Sequence, residues 1–465
     1  MSFVSRRVLL RVLAAPMYFP ASIAGQATTH RAPKPLDPRA VTENWTSFLG
    51  PTFNSVSTET KLTRELPPPV VWEFPTGSGY ASPVIFNDRL VYIHRVGDEE
   101  IVECLHSETG VVHWRYRYST QYEDRYGYNN GPRSSPIIDE SGGRVFTVGA
   151  EGKLHAIELQ TGRVIWRKEL RQEYGVAQEF FGTAATPVIE GDLLIVNVGA
   201  PGGPTVVACA LETGDEVWRA GVEWGAGYAS PIPATIHGER RIFIFAGGES
   251  QPPSGGLLVL NPADGAIDFE FPWRSRTYES VNASCPVVFD NKVFVSASYR
   301  TGGALLSVSP DFEYTLDWTT QDFALHFNTP IYRDGYLYGF DGRNMGDASL
   351  ACLDVATGEI VWRAVPEWTE SFELNGRMQE QRMGTARGSL LAADGDFLCL
   401  GELGHLLWLR LGTGGLEEIS RTWLFAARES WNLPVLSHGL LYVSQNTRDL
   451  LTGSGARLLC YDLRA

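Results

Sequence analysis

No stretch of this chain reaches the roughly 18 uninterrupted apolar residues that a membrane-spanning helix needs. The longest candidate, near the N-terminus, is broken by Arg11, Pro16 and Pro20. Positive charge is scarce: 39 Lys and Arg stand against 54 Asp and Glu, a formal net charge of −15. A field of that sign does not attract a phosphate backbone, so no nucleic-acid partner is expected. The six cysteines, Cys104, Cys209, Cys285, Cys352, Cys399 and Cys460, include no Cys-x-x-Cys and no adjacent pair, which removes the usual metal-cluster and dithiol patterns. His-Glu-x-x-His, Gly-x-Ser-x-Gly and a phosphate-binding Gly-Lys-Thr/Ser loop are also missing. Asp341-Gly342-Arg343-Asn344 misses most of a calcium-loop pattern, so no metal site is expected.

What is present is turn-forming and β-rich. The 465 residues include 48 Gly and 27 Pro, with 43% hydrophobic and 11% aromatic residues, and no strong amphipathic helical period runs through them. Thr109-Gly110 to Trp114, Thr161-Gly162 to Trp166, Thr213-Gly214 to Trp218 and Thr357-Gly358 to Trp362 all keep Gly and Trp four residues apart. Asp264-Gly265 to Phe269, Pro310-Asp311 to Trp318 and Thr413-Gly414-Gly415 to Ile419 are weaker copies. A small residue before Pro opens an apolar run at Ser82, Ser135, Thr186, Ser230, Cys285 and Thr329, and Ser389-Leu390 and Leu433-Pro434 complete eight units.

Each unit reads as four short apolar runs separated by turns, a four-stranded meander. A period of about 50 residues is that of a propeller blade. The fold expected is all-β: an eight-bladed propeller of four-stranded blades over residues 67–465. The last unit stops at Leu458-Leu459-Cys460-Tyr461-Asp462, where a fourth strand is due, and Val70-Val71-Trp72-Glu73-Phe74 reads as that strand. An N-terminal strand in the last blade would close the ring and leave no open edge.

Ahead of the ring, Ser5-Arg6-Arg7-Val8-Leu9-Leu10-Arg11 and the apolar run to Ala24 read as an export signal over residues 1–27, with the order of a twin-arginine leader. Residues 28–66 are expected to wrap the outside as an irregular lead-in. The expected location is periplasmic or secreted, and the expected state a monomer.

The repeats resemble those of the pyrroloquinoline-quinone (PQQ) propeller superfamily, which includes quinoprotein alcohol dehydrogenases and the propeller lipoprotein of outer-membrane assembly. Phe48-Leu49-Gly50-Pro51, His94 to Glu100, Arg125 to Arg133 and Phe340-Asp341-Gly342-Arg343 are similar to exported bacterial PQQ-like repeat proteins. The resemblance implies that Trp72, Trp114, Trp166, Trp218, Trp318 and Trp362 sit between blades as structural mortar. It is specific for fold and poor for function.

Function on such a ring is expected at the funnel mouth, on the loops leading into the innermost strands. Three residues before each landmark's second residue stand Tyr80, Arg133, Ala184, Tyr228, Ala283, Phe327, Arg387 and Trp431. The long loop from Arg115 to Ser134 adds Tyr116, Tyr118, Tyr122, Tyr126, Tyr128, Asn129 and Asn130, and Asn432 follows Trp431. A second long loop, from Arg363 to Gly388, holds Trp368, Glu370, Glu373, Asn375, Arg377 and Arg382. The predicted ligand-binding set is Tyr80, Tyr128, Asn130, Arg133, Tyr228, Phe327, Arg387, Trp431 and Asn432. Aromatic rings and guanidinium groups suit a small anionic or sugar-like ligand, or a protein partner. The bland reading is a channel plug paired with Glu279, Glu373 and Glu429.

Two functions follow. One is a binding scaffold acting through its funnel face, with no cofactor expected. The other is a quinoprotein dehydrogenase oxidising an alcohol or sugar with PQQ and Ca²⁺. The enzymes of that family carry an adjacent Cys-Cys pair and a longer chain, which are absent here. Asp341, Glu373 and Asn375 are the residues that could serve a metal and a base.

Overall fold

In a computed structural model, residues 25–221, 224–374 and 376–465 are described. They form a ring of eight four-stranded antiparallel blades with one short helix, Leu170–Tyr174. The leader expected over residues 1–27 falls outside the described residues as far as position 24.

Blade 1 consists of Val84–Phe86, Arg89–Val96, Glu99–His106 and Val112–Ser119, running from axis to rim. Six more blades repeat it. Blade 8 runs Val435–Ser437, Leu440–Gln445, Arg457–Asp462 and then, as its outermost strand, Val70–Pro75. Trp72 pairs with Cys460 and Phe74 with Leu458, so the N-terminal strand closes the ring as the sequence requires. Thr28–Thr29 adds a short fifth strand on the outside of that blade. All six cysteines are buried and free, and burial pushes the Cys104 thiol up to about 12.

The Gly-to-Trp spacing has a steric cause. Trp114 donates from its indole Nε1 to the carbonyl of Leu159 in blade 2 at 2.8 Å, while its ring lies on the Thr-Gly turn of that blade. A Cβ on Gly162 would sit 2.6 Å from the ring, and the glycine is also at φ 77°. Only glycine meets both demands. Trp72, Trp166, Trp218, Trp318 and Trp362 donate in the same way to Ser107, Leu211, Pro262, Val355 and Gly412. Each indole can bury roughly 200 Å² while satisfying its one donor.

The small residue before Pro has a different cause. In blades 1 to 5 the backbone N–H of this residue donates to the side chain of its counterpart one blade on. Ser82 donates to Ser135 Oγ (2.9 Å), Ser135 to Thr186 Oγ1 (3.0 Å) and Thr186 to Ser230 Oγ (2.9 Å). Ser230 then donates to Cys285 Sγ (3.3 Å), and Cys285 to Thr329 Oγ1 (3.0 Å). A belt of donors and acceptors therefore circles the axis from blade 1 to blade 6. Between blades 8 and 1 the same role falls to Asn432, whose Nδ2 donates to Ala81 O at 2.6 Å.

Two expectations are corrected. The lead-in does not simply wrap the outside. Trp45 and Ile85 exchange backbone hydrogen bonds (3.0 and 2.7 Å), Ile138 donates to Thr46 O, Ser57 donates to Ala392 O (2.8 Å) and Ala392 donates to Ser55 O (2.9 Å). Ile85, Ile138 and Ala392 lie on the innermost strands of blades 1, 2 and 7, so this segment lies against their inner edges and fills the hub. Trp45 is 0% exposed and Leu49 3%. The physical reason is that innermost strands carry unpaired N–H and C=O groups toward the axis, and buried backbone polar groups demand partners.

The segment from 363 to 388 is not an irregular loop either. Glu367–Leu374 and Arg377–Gly384 form a two-stranded antiparallel hairpin, with Trp368 and Phe372 facing His405 and Trp423 of blade 7. Asn375 lies outside the described residues. Tyr116 and Tyr118 belong to the outermost strand of blade 1 rather than to a loop, and both pack on His155.

Candidate functional site at the funnel mouth

Because the belt residues are fixed, the residue two before each is aimed at the axis on one face. Tyr80, Arg133, Ala184, Tyr228, Ala283, Phe327, Arg387 and Trp431 are all half-buried there. Trp431 is the centre: its ring lies 5.2 Å from Tyr80, 5.6 Å from Tyr128 and 5.6 Å from Phe327. Arg387 stacks over it at 4.9 Å. On the far side Arg133 lies 5.3 Å over Tyr80, and Phe181 bridges Tyr128 (6.0 Å) to Tyr228 (5.5 Å). Seven of the nine predicted residues thus meet around one centre.

The other two do not present side chains to a ligand. Asn432 is 3% exposed and joins blade 8 to blade 1. Asn130 accepts the backbone N–H of Asp124 at 2.9 Å, a staple within its own loop.

The arginines are neutralised by carboxylates that sequence reasoning did not name. Arg133 donates to Asp124 Oδ2 at 2.6 Å, and that aspartate side chain is fully buried. Arg387 grips both oxygens of Glu402, whose side chain is 3% exposed and which also accepts the Trp431 indole N–H at 2.8 Å. Tyr80 donates its hydroxyl to Glu429, and Tyr126 to Glu279 at 3.4 Å. The anticipated partner Glu373 is exposed on the hairpin. Asp124 was accessible to sequence reasoning, standing nine residues before Arg133 in the same tyrosine-rich loop. Nothing in the repeat marked Glu402.

Beneath Trp431 and Phe327 the axis is occupied rather than hollow. A cavity of about 30 Å³, bounded below by Phe48 and Leu49 of the lead-in, is lined also by Thr329 and Leu433. A second, of about 10 Å³, lies beside Glu179 and Asn197 between blades 2 and 4. Burial, against no nearby full ion pair, raises the Glu179 carboxyl to about 7. The largest of these spaces suits one or two waters.

Among the described residues no three His, Cys, Asp or Glu side chains gather as a metal-ligand set. Asp341 is paired with Arg363, so the candidate metal and base residues Asp341 and Glu373 are not brought together. No described helix is long and apolar enough to cross a membrane.

A family model described as PQQ_2, outer membrane protein assembly factor BamB, matches residues 67–190 and 98–364, together more than half of the chain. The chain belongs to this PQQ_2 family. Among curated relatives, this PQQ_2 propeller is 22% identical over 435 residues to the quinoprotein alcohol dehydrogenase PedH of Pseudomonas putida, covering 76% of this chain and 68% of that protein. It is 26% identical over 145 residues to the quinohemoprotein alcohol dehydrogenase ADH-IIG of Pseudomonas putida, but spans only 19% of it. Among solved structures it superposes on a quinohemoprotein alcohol dehydrogenase from Comamonas testosteroni (TM-score 0.62, 10% identity, 91% of this chain and 81% of that one). A europium-containing methanol dehydrogenase matches equally (TM-score 0.62, 10% identity, 90% and 98%). At these identities the superpositions establish the eight-bladed fold and no more.

Proposed function

We propose that this PQQ_2 propeller is an exported binding scaffold that works through its funnel mouth, without quinone chemistry of its own. The observation that carries the reading is the filled axis. A flat tricyclic quinone bearing three carboxylates needs a slot, and the axial space between Trp431, Phe327, Phe48 and Leu49 is only about 30 Å³. A cation beside it needs several converging carboxylates, but Asp124 and Glu402 are already held by Arg133 and Arg387, and among the described residues no three acidic, His or Cys side chains gather. The residues present therefore do not fit PQQ and Ca²⁺. Export is supported by the Arg-Arg and apolar pattern before residue 25, which would put the ring in the periplasm or outside the cell.

The second reading, a quinoprotein dehydrogenase acting on an alcohol, is favoured by the length of the match to PedH. The two readings part on one experiment. PQQ and CaCl₂ are added to the full chain, which is then desalted and assayed for quinone absorbance and for dye reduction with ethanol and glucose. The scaffold reading expects neither; retained quinone with alcohol-dependent dye reduction overturns it.

A further inference from the structure

The arginines that frame the mouth are mostly satisfied from within. Arg133 and Arg387 have buried carboxylates, Arg125 holds Glu249 at 2.6 Å, and Arg274 donates to the carbonyls of Gly248 and Ser280. Arg343 differs. It stands exposed in the turn after Phe340-Asp341-Gly342, its guanidinium 4.4 Å over the ring of Tyr299, and among the described residues no carboxylate lies within ion-pair distance of it.

Its position is fixed rather than free. Arg387 donates to the Arg343 carbonyl at 3.0 Å, and Arg387 itself stacks 4.9 Å over Trp431. The Tyr299 hydroxyl under the guanidinium is bonded to His326 Nε2 at 3.0 Å. His326 is held far toward the neutral form, down to about 3, by burial and by the two neighbouring arginines, so the imidazole adds no competing charge. Beside this point lies Tyr128, 43% exposed, with its ring 5.6 Å from Trp431. The Arg343 guanidinium thus lies over Tyr299, while its backbone is tied through Arg387 to the half-buried indole that Tyr128 flanks.

We propose that Arg343 is the anion-pairing residue of a mouth subsite for a ring carboxylate of the sugar-acid type. The carboxylate pairs with the guanidinium fork, and the C–H face of the pyranose lies on Trp431 and Tyr128. One guanidinium fork takes one carboxylate. The net charge of −15 disfavours a long polyanion, because each further anionic group adds repulsion. The inference rests on the reading of the mouth as the binding face and names the ligand class there.

The probes are glucuronate, glucose and benzoate, titrated against the full chain by tryptophan fluorescence and calorimetry. Glucuronate is expected to bind at least tenfold more tightly than glucose. Arg343→Ala should abolish that tenfold preference, Arg343→Lys should keep part of it, and Arg163→Ala, on the outer turn of blade 2, should change nothing. Circular dichroism and thermal midpoint check that Arg343→Ala is folded, and the lysine variant keeps the test informative if it is not. No glucuronate binding at tens of millimolar, unchanged preference in Arg343→Ala, or benzoate binding as tightly as glucuronate would each overturn the proposal. If any of these occurs while PQQ is still not retained, the subsite fails and the scaffold reading stands; retained PQQ with turnover removes the scaffold reading itself.

Discussion

Substituting Gly162 with Ala separates the two demands made on the Thr-Gly turn. Gly162 has φ 77° and would place a Cβ 2.6 Å from the Trp114 ring, whereas Gly191 has φ 59° with nothing within 4 Å of its Cβ position. A left-handed alanine costs about 1–2 kcal/mol, and that is the whole expected cost of Gly191→Ala. Gly162→Ala adds overpacking of about 1–3 kcal/mol as the indole is displaced. It also weakens the Trp114 to Leu159 hydrogen bond, worth about 0.5–1.5 kcal/mol. The expected loss is therefore about 3–6 kcal/mol. Urea unfolding reads it as a lower midpoint at unchanged slope. In a Trp114→Ala background, Gly162→Ala should fall to the cost of Gly191→Ala, because the ring that it strikes is gone. Equal losses for the two glycines, or a full loss without the tryptophan, would refute the steric account of the repeat.

Arg387→Ala leaves Glu402 buried with only the indole of Trp431 as a side-chain donor, and should cost about 3–5 kcal/mol in urea unfolding; a loss under about 1 kcal/mol would mean that the charge is hydrated. Glu59, 1% exposed in the hub, is raised from 4.5 to about 7 by burial, despite accepting N–H groups from Glu43, His438 and Gly439. Its folded pKa lies above its unfolded one, so its contribution is fully present below pH 4.5 and is lost as pH rises to about 7, by up to about 3 kcal/mol. Glu59→Gln should remove that slope whatever its constant offset; parallel stability-against-pH curves for the two proteins would refute this. Trp45→Ala should cost about 3–5 kcal/mol through the cavity left in the hub, measured by thermal and urea unfolding, and a near-neutral result would mean that the lead-in is not packed there. A chain starting at residue 76 should lose cooperative unfolding by calorimetry, since blade 8 then ends on an open edge.

The ring was legible because its landmarks answer to chemical needs that recur in every blade. Gly162 must underlie an indole, and Ser135 must accept an N–H from Ser82, so both kinds of position recur at the blade period. Even Cys285 fits the rule, its sulfur taking the place of a hydroxyl. The hub was not legible, because Trp45, Thr46 and Ser57 meet Ile85, Ile138 and Ala392 only once each and no period announces them. Alternation in Trp368, Glu370, Phe372 and Leu374 is that of a strand, but its partner, Arg377 to Arg382, is polar at every position except Met378 and hid the hairpin. At the mouth, position was readable and pairing was not. A register counted from Ser82 or Ser135 brings Tyr80 and Arg133 to the axis, whereas Glu402 lies fifteen residues beyond Arg387 with no pattern linking them. Asn432 was misjudged because it follows Trp431 immediately; adjacent residues in extended chain point opposite ways, here into the joint between blades.

The hub turns a washer into a disc. With Trp45 and Leu49 buried against the innermost strands, the centre of the ring is filled by the chain's own lead-in. Phe48 and Leu49, which share a cavity with Trp431, are where a displacement at the mouth would press on the segment packed behind it.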